Sequence, residues 1–353
     1  MQRYSPKDTQ ELVGSIARAS GVPEEGAAIL ADSLVDADIH GASTHGVSRL
    51  NITIRRIRKG LIDPKAEIVI EKRRPFVLSV DAGNGLGQIQ AARVLQRLLP
   101  MARSSGLAAA AIKNSQHFGA LSYYCNQAAR ENMILLATTN AEPSMAPEGG
   151  YQPCLGTNPV AISFPTGKGY PLKIDLSTSL VARGHIIGAQ KRGEAIPSGW
   201  ALDSDGHPTT DAEKALMGAV LTMAGHKGYA LAMMVEVLSG VLSGSAFGRS
   251  VGSMYKDMDR KQEVGHFFCL LDPEAFMEVS CFKERIDRLI DEIKQSGKRP
   301  GVEEILVPGE RSFRKARENL EIGIPIGEET IEELKGLCRE LKIPFSLMKS
   351  VPS

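Results

Sequence analysis

Apolar positions recur every three or four residues through the first sixty positions of the chain. Leu12, Val13 and Ile16 form one stripe behind a cap at Asp8 or Thr9, and Gly21 and Pro23 end that helix. Pro23, Glu24 and Glu25 open a second helix, along which Ala27, Leu30, Leu34 and Ala37 share a face while Asp32, Asp36 and His40 lie on the polar side. A third follows a small polar turn, with Leu50, Ile54 and Ile57 opposite Arg55, Arg56, Arg58 and Lys59, and Gly60 as its stop. From residue 68 the period shortens. Strands are predicted at 68–70, 77–80, 107–112, 133–138 and 160–164, with helices carrying Ile89 to Ala102 and spanning 120–130. Residues 141–158, rich in proline and glycine, read as a long loop, and 192–210 as a second irregular region. An apolar helix at 227–242, helices at 273–295 and 328–341, and a short strand at 305–307 complete the pattern. The class is mixed α/β.

Composition narrows this picture only in places. With 42% hydrophobic and 24% charged residues the chain is an ordinary globular one, and 353 residues leave room for two lobes. A formal charge of +1 gives no global field for nucleic acid or an anionic membrane, so neither is expected as a partner. Cys125, Cys154, Cys269, Cys281 and Cys338 are odd in number and lack a C-x-x-C pair, which fits reduced thiols and a cytoplasmic location. The polar start and short apolar runs indicate neither secretion nor membrane insertion. Glycine is in excess, at 35 residues.

Gly83, Gly85 and Gly87 form G-x-G-x-G, which lacks the Rossmann spacing; a tight turn leading into a helix explains them without a ligand. P-loop and H-E-x-x-H patterns are absent from the sequence. The segment from His40 to Arg49 concentrates the chemistry. If a helix opens near Thr44, His45 and Arg49 stand four apart on one face, an imidazole able to move a proton beside a guanidinium able to grip a carboxylate. That pairing suits a 2-oxo or 2-hydroxy acid. A cap at Ser43 or Thr44, a surface histidine and a solvated arginine account for the same residues. His40, His45 and Asp36 lack tight zinc spacing, and no metal is expected.

From about Thr9 to Gly323 the chain resembles the malate/L-lactate dehydrogenase family that lacks the Rossmann fold. The resemblance rests on His45-Gly with Arg49, Ser115-Gln-His117-Phe-Gly-Ala-Leu, Gly156-Thr-Asn-Pro, Ile174-Asp-Leu-Ser-Thr-Ser, the run from Ile196 to Thr210, His226-Lys-Gly-Tyr with Leu238 to Gly244, and Pro308-Gly-Glu-Arg. The stretch from Phe247 to Asp257 looks closest to the ureidoglycolate dehydrogenase branch. The resemblance implies a largely antiparallel, non-Rossmann cofactor body over residues 66–310. It also implies a helical domain for substrate binding and dimerisation from 1–65 and 311–353.

It implies hydride transfer between NAD, or NADP, and C2 of a malate-, lactate- or ureidoglycolate-type acid, in a homodimer. His45 becomes the proton-transfer group with the Thr44 hydroxyl in relay, and His117 competes for the same role. Arg49 becomes the carboxylate clamp. The cofactor is assigned His117 with Phe118, Gly119, Ala120 and Leu121; Asp175, Leu176 and Ser177; His226, Lys227 and Gly228; and Pro308, Gly309 and Glu310. Asp175, if it faces the ribose, favours NAD. Thr53 stands where the family commonly has tyrosine, which leaves the pocket without that aromatic wall. Reduction of a cyclic imine acid of the piperideine-2-carboxylate type, and a non-catalytic nucleotide-binding homologue, are the alternatives.

Overall fold

The computed structural model describes residues 2–348. A short strand, β1 (Gln2–Tyr4), precedes three helices, α1 (Pro6–Ala19), α2 (Glu24–Ile39) and α3 (Leu50–Arg58). Helix α1 starts earlier than its apolar stripe suggested, because Ser5 caps it, accepting from Asp8 N–H at 3.3 Å, and Pro6 sits in its first turn. The chain then passes through β2 (Val69–Arg74), β3 (Val77–Asp81), α4 (Gly87–Ser105), β4 (Leu107–Ser115), α5 (Leu121–Arg130), β5 (Ile134–Thr139), β6 (Val160–Phe164) and β7 (Leu172–Leu176). An outlying group follows: α6 (Arg183–Arg192), β8 (Ala201–Leu202), β9 (Pro208–Thr209), α7 (Ala212–Met217) and β10 (Ala219–Val220). Last come α8 (His226–Glu236), β11 (Val264–Leu271), α9 (Val279–Gln295), α10 (Glu310–Ile322), β12 (Ile324–Ile326) and α11 (Glu328–Leu341).

Seven strands form the main sheet in the order β2-β3-β4-β11-β5-β6-β7. Only β3 and β4 run parallel, with α4 as their crossover, and every other neighbouring pair is antiparallel. A doubly wound nucleotide fold would be mostly parallel, so the architecture is mixed and non-Rossmann. The centre of the sheet is β11, where Phe268 pairs with Ala110 on one side and Ala137 on the other. No strand forms at 305–307; that run ends in the turn at Gly309, and the pairing falls instead to β12 against β1, which ties the two chain ends together.

One apolar core joins α1, α2 and α3 to Ile324, Ile331, Leu334 and Leu337, so the helical layer is built from both ends of the chain; Leu86 and Ile89, at the start of α4, also enter it. A second core lies between the sheet and helices α4 and α5. Met145, Leu155, Ile186, Ala201 and Val220 share a third, smaller core under the outlying elements. Among the described residues no helix is long and apolar enough to cross a membrane.

Candidate active site

Helix α2 ends where the chain must turn sharply, and the turn carries the chemistry. His45 and Arg49 are not on one helical face, as the spacing had suggested. Ser43–His45 and Val47–Arg49 are two separate 3-10 turns, broken at Gly46 by an extended backbone with φ −87° and ψ −152°. The break has a cause in Asp38, in the last turn of α2. Its buried carboxylate accepts Val47 N–H at 2.8 Å and lies against Gly46, where a Cβ would fall 2.1 Å from Asp38 Oδ1. Burial pushes the Asp38 carboxyl up to about 7, against the pull of the Val47 hydrogen bond. Arg49 Nε donates to the Thr44 carbonyl, which fixes the guanidinium across the turn.

The turn delivers His45 to His117. Nδ1 of the first lies 3.2 Å from Nε2 of the second, the rings are within 4° of parallel, and their centroids are 5.3 Å apart. His117 follows the end of β4 and its N–H donates to Gln262 at 3.2 Å. The glycine run explains part of this placement. A Cβ on Gly87 would lie 2.3 Å from the Gln116 carbonyl, so α4 can start against the His117 segment only with glycine there. A third histidine, His266 of β11, stacks on Phe118 at 4.0 Å and is hydrogen-bonded at 2.8 Å to both Thr139 and Ser115. Burial lowers the pKa of His45 to about 4, with Arg49 adding to the effect. His117 is held well below the usual imidazole range by burial, then by His45, Arg49 and His266. Both rings of the pair are therefore neutral near pH 7. His117 Nδ1 is buried without a protein partner.

Arg49 is flanked by groups that sequence reasoning did not single out. The Tyr255 ring centroid lies 5.2 Å from Arg49 Cζ, and Glu142 draws Arg49 toward its charged form while burial opposes it. Glu142 in turn faces Arg183 at 3.4 Å and accepts Met254 N–H at 2.7 Å. Both residues sit in stretches already marked in the sequence, the long loop and the segment from Phe247 to Asp257. The missing information was only which side chains turn toward Arg49. Thr53 is buried and donates to the Arg49 carbonyl at 2.8 Å, so the aromatic neighbour of the arginine comes from Tyr255. No hydrogen bond among the described residues joins the Thr44 hydroxyl to His45; its methyl lies toward Gly184 at the start of α6.

The residues assigned to the cofactor form a connected band. Phe118 to Leu121 lead from His117 into α5, and Asp175 Oδ2 on β7 accepts Ser122 N–H at 3.0 Å in its first turn. That carboxylate oxygen is thereby engaged by the protein rather than free for a ribose. Beyond Leu176 and Ser177, Thr178 accepts Met223 N–H at 2.9 Å, which brings this segment beside the turn that opens α8 at His226. Lys227 is exposed and forms no ion pair among the described residues, and no side chain caps the helix start. Gly228 is needed for a different approach from the one expected. A Cβ there would lie 2.2 Å from the Met223 carbonyl, so it serves the turn rather than a ligand. Pro308 accepts Lys173 N–H at 3.2 Å, and Gly309 follows with φ 93°. Glu310 is committed within the protein, paired with Lys294 at 2.7 Å and Arg314 at 2.6 Å. A cavity of about 430 Å³ lies elsewhere, between Ser5, Lys7, Asp32, Asp36 and Leu320, and neither His45 nor His117 lines it.

A family model described as malate/L-lactate dehydrogenase matches residues 4–335. The chain belongs to the malate/L-lactate dehydrogenase family. Within that family it is similar to the sulfolactate dehydrogenase structure from Methanocaldococcus jannaschii, at 38% identity and a TM-score of 0.90, over 97% of this chain and 98% of that one. It is 37% identical to a (2R)-3-sulfolactate dehydrogenase (NADP(+)) of Chromohalobacter salexigens, over 94% of this chain and 96% of the relative. The ureidoglycolate dehydrogenase (NAD(+)) of Escherichia coli O157:H7 is more distant, at 32% over 98% and 99%. The sulfolactate relatives are thus nearer than the ureidoglycolate dehydrogenase branch that the stretch from Phe247 to Asp257 suggested.

Proposed function

We propose that this protein transfers hydride between a nicotinamide nucleotide and C2 of a small 2-hydroxy acid of the malate or sulfolactate type. The carrying observation is the neutral His45–His117 pair set beside a guanidinium with both Nη groups free of the turn. Two features support a fit to the nucleotide: His117 Nδ1 is a buried polar atom without a partner, and the uncapped start of α8 carries the unpaired Lys227. Lys227 and the α8 amides would hold the pyrophosphate, and His117 would face the nicotinamide side. When bound, the nucleotide supplies the hydride acceptor in oxidation and the hydride donor in reduction.

The chain's own residues do the rest. Arg49 presents its two Nη groups to the substrate carboxylate, its Nε being held by Thr44. With Nδ1–H of His45 donated to His117 Nε2, His45 Nε2 is the unprotonated base that takes the proton from the C2 hydroxyl; in reduction the same atom returns it to the forming alkoxide. A dianionic acid is favoured by the likeness to malate and sulfolactate dehydrogenases, and Arg183, paired with Glu142, stands beside Arg49. With one oxygen held by Ser122 N–H, Asp175 at the sheet edge would act on the nucleotide through its charge alone, which supports NAD over NADP. The outward apolar face of α8 supports a homodimer.

Initial rates with malate, sulfolactate, lactate and ureidoglycolate, each with NAD and NADP, test the reading. Turnover is expected with the two dianionic acids and NAD. Nucleotide reduction with none of the four overturns the assignment, and a preference for NADP overturns the role given to Asp175.

A further inference from the structure

Arg49, the residue before α3, and Arg56 near its end are seven residues apart, which puts them on the same side of the helix. Arg56 was expected on the solvated face. It is instead fully buried, and among the described residues no carboxylate pairs with it. Its Nη1 donates to the carbonyls of Asp257 at 2.7 Å, Met254 at 3.3 Å and Ser253 at 3.4 Å, and Nη2 donates to that of Arg260 at 3.0 Å. Lys59, one turn on, reaches the Met258 carbonyl at 3.3 Å. The loop is closed from within as well, since Asp257 Oδ2 accepts Ser253 N–H at 2.8 Å and pairs with Arg260. A buried guanidinium is costly to desolvate, and with Nε buried without a partner among the described residues, both Nη groups turned to one loop's carbonyls specify that loop's shape. At its crest stands Tyr255, 48% exposed, with its ring against Arg49.

We infer that Arg56 is a positioning residue for substrate recognition: by gathering the carbonyls of residues 253–260 it sets Tyr255 as the aromatic wall that holds the Arg49 fork ready for a carboxylate. This rests on the reading of Arg49 as the substrate clamp. The ring face fixes the plane of the guanidinium, so less side-chain freedom is lost when the carboxylate binds. The effect belongs to substrate binding, not to proton transfer, because neither Tyr255 nor Arg56 touches the histidine pair.

The test compares Tyr255→Phe, Tyr255→Leu, Arg56→Lys and the double variant Arg56→Lys/Tyr255→Leu in the full chain. Tyr255→Phe should keep the wild-type KM for the hydroxy acid. Tyr255→Leu should raise it about fivefold, the size of one cation–π contact, with kcat and nucleotide KM unmoved. Arg56→Lys should raise the same KM and speed tryptic cleavage at Lys256 and Arg260. The double variant should show no more than the larger single effect, since both act through one ring. Should Arg56→Lys fail to fold, Asp257→Ala opens the loop from its other side and is read the same way. A wild-type KM in Tyr255→Leu overturns the inference, as does an Arg56→Lys variant in which kcat, both KM values and Tm worsen together and multiply with Tyr255→Leu. A wild-type enzyme that turns over no hydroxy acid sinks instead the reading beneath it.

Discussion

Two imidazole nitrogens 3.2 Å apart hold one proton between them, so the state of the remaining two nitrogens decides what the pair can do. His45, lowered to about 4 by burial and then by Arg49, stays unprotonated, as the base proposed for the free enzyme requires. For oxidation, kcat/KM should be level near neutrality and fall only as pH drops toward that value, because this profile reports the free enzyme's base. Arg49→Met removes the second cause and should move the acid limb upward while raising substrate KM; a limb that stays in place removes Arg49 from the electrostatics of His45. His45→Ala should cut kcat about a hundredfold or more with nucleotide affinity retained, the scale of general acid–base catalysis. Asp38 makes the complementary prediction for stability. Its folded pKa of about 7 lies above the ordinary 3.8, so the fold prefers the neutral carboxyl and loses stability as pH rises between those values. Asp38→Asn should therefore gain in Tm relative to wild type as buffers are taken from about pH 5 to about pH 8. A difference that does not change with pH, or that runs the other way, refutes a buried neutral Asp38. The residue types at His45, Arg49 and His117 were legible in the sequence, but the contact that shapes their turn, Asp38 against Gly46, and the ring that lowers His117 from behind Phe118, His266, were not, since each joins positions whose spacing carries no period.

At the scale of elements, strands with a strong period-two pattern, such as β6, and amphipathic helices such as α1 and α4 were readable from the chain alone. What escaped was whatever is stabilised mainly by its neighbours. Strand β11 lies between β4 and β5 and takes its hydrogen bonds from both, and α10 is an exposed helix with few apolar positions, Ala316 and Asn319 among its buried ones. Arg56 was misplaced for the same reason: the period of α3 put it among solvated cations, and only the returning loop of residues 253–260 buries it. The glycine excess likewise records close approaches that no local pattern announces. Gly228 and Gly336 should respond oppositely to alanine. At Gly228 a Cβ meets the Met223 carbonyl at 2.2 Å, so Gly228→Ala should lower Tm and raise nucleotide KM through the turn before α8. At Gly336, inside α11, nothing lies within 4 Å, and Gly336→Ala should raise stability by about 1 kcal/mol, the helix-propensity difference. Calorimetric scans that moved both the same way would show that these contacts are not what separates them.

For the whole molecule, α8 poses a burial problem that one chain does not solve. Ala232 and Val235 face inward and are fully buried, yet Leu231, Met233 and Met234 are 36–40% exposed, and Val237, Val241 and Leu242 of the widened turn that prolongs the helix are 46–58% exposed. A helix apolar on all sides belongs in an interior, and Met234, Val237 and Val241, spaced three and four apart, share the uncovered side. A second copy of the chain meets the requirement by laying the same face on itself around a two-fold axis. Because α8 begins at His226 and Lys227, a second copy covering its far side would also restrain the segment proposed to hold the pyrophosphate and so would couple assembly to nucleotide affinity. Val237→Glu with Val241→Glu should therefore do two things at once: shift sedimentation from two chains toward one, and weaken nucleotide binding in the same concentration range in which the dimer dissociates. Wild-type protein sedimenting at the mass of a single chain would discard the dimer, and a monomeric variant with undiminished nucleotide affinity would keep the dimer but break its link to the site.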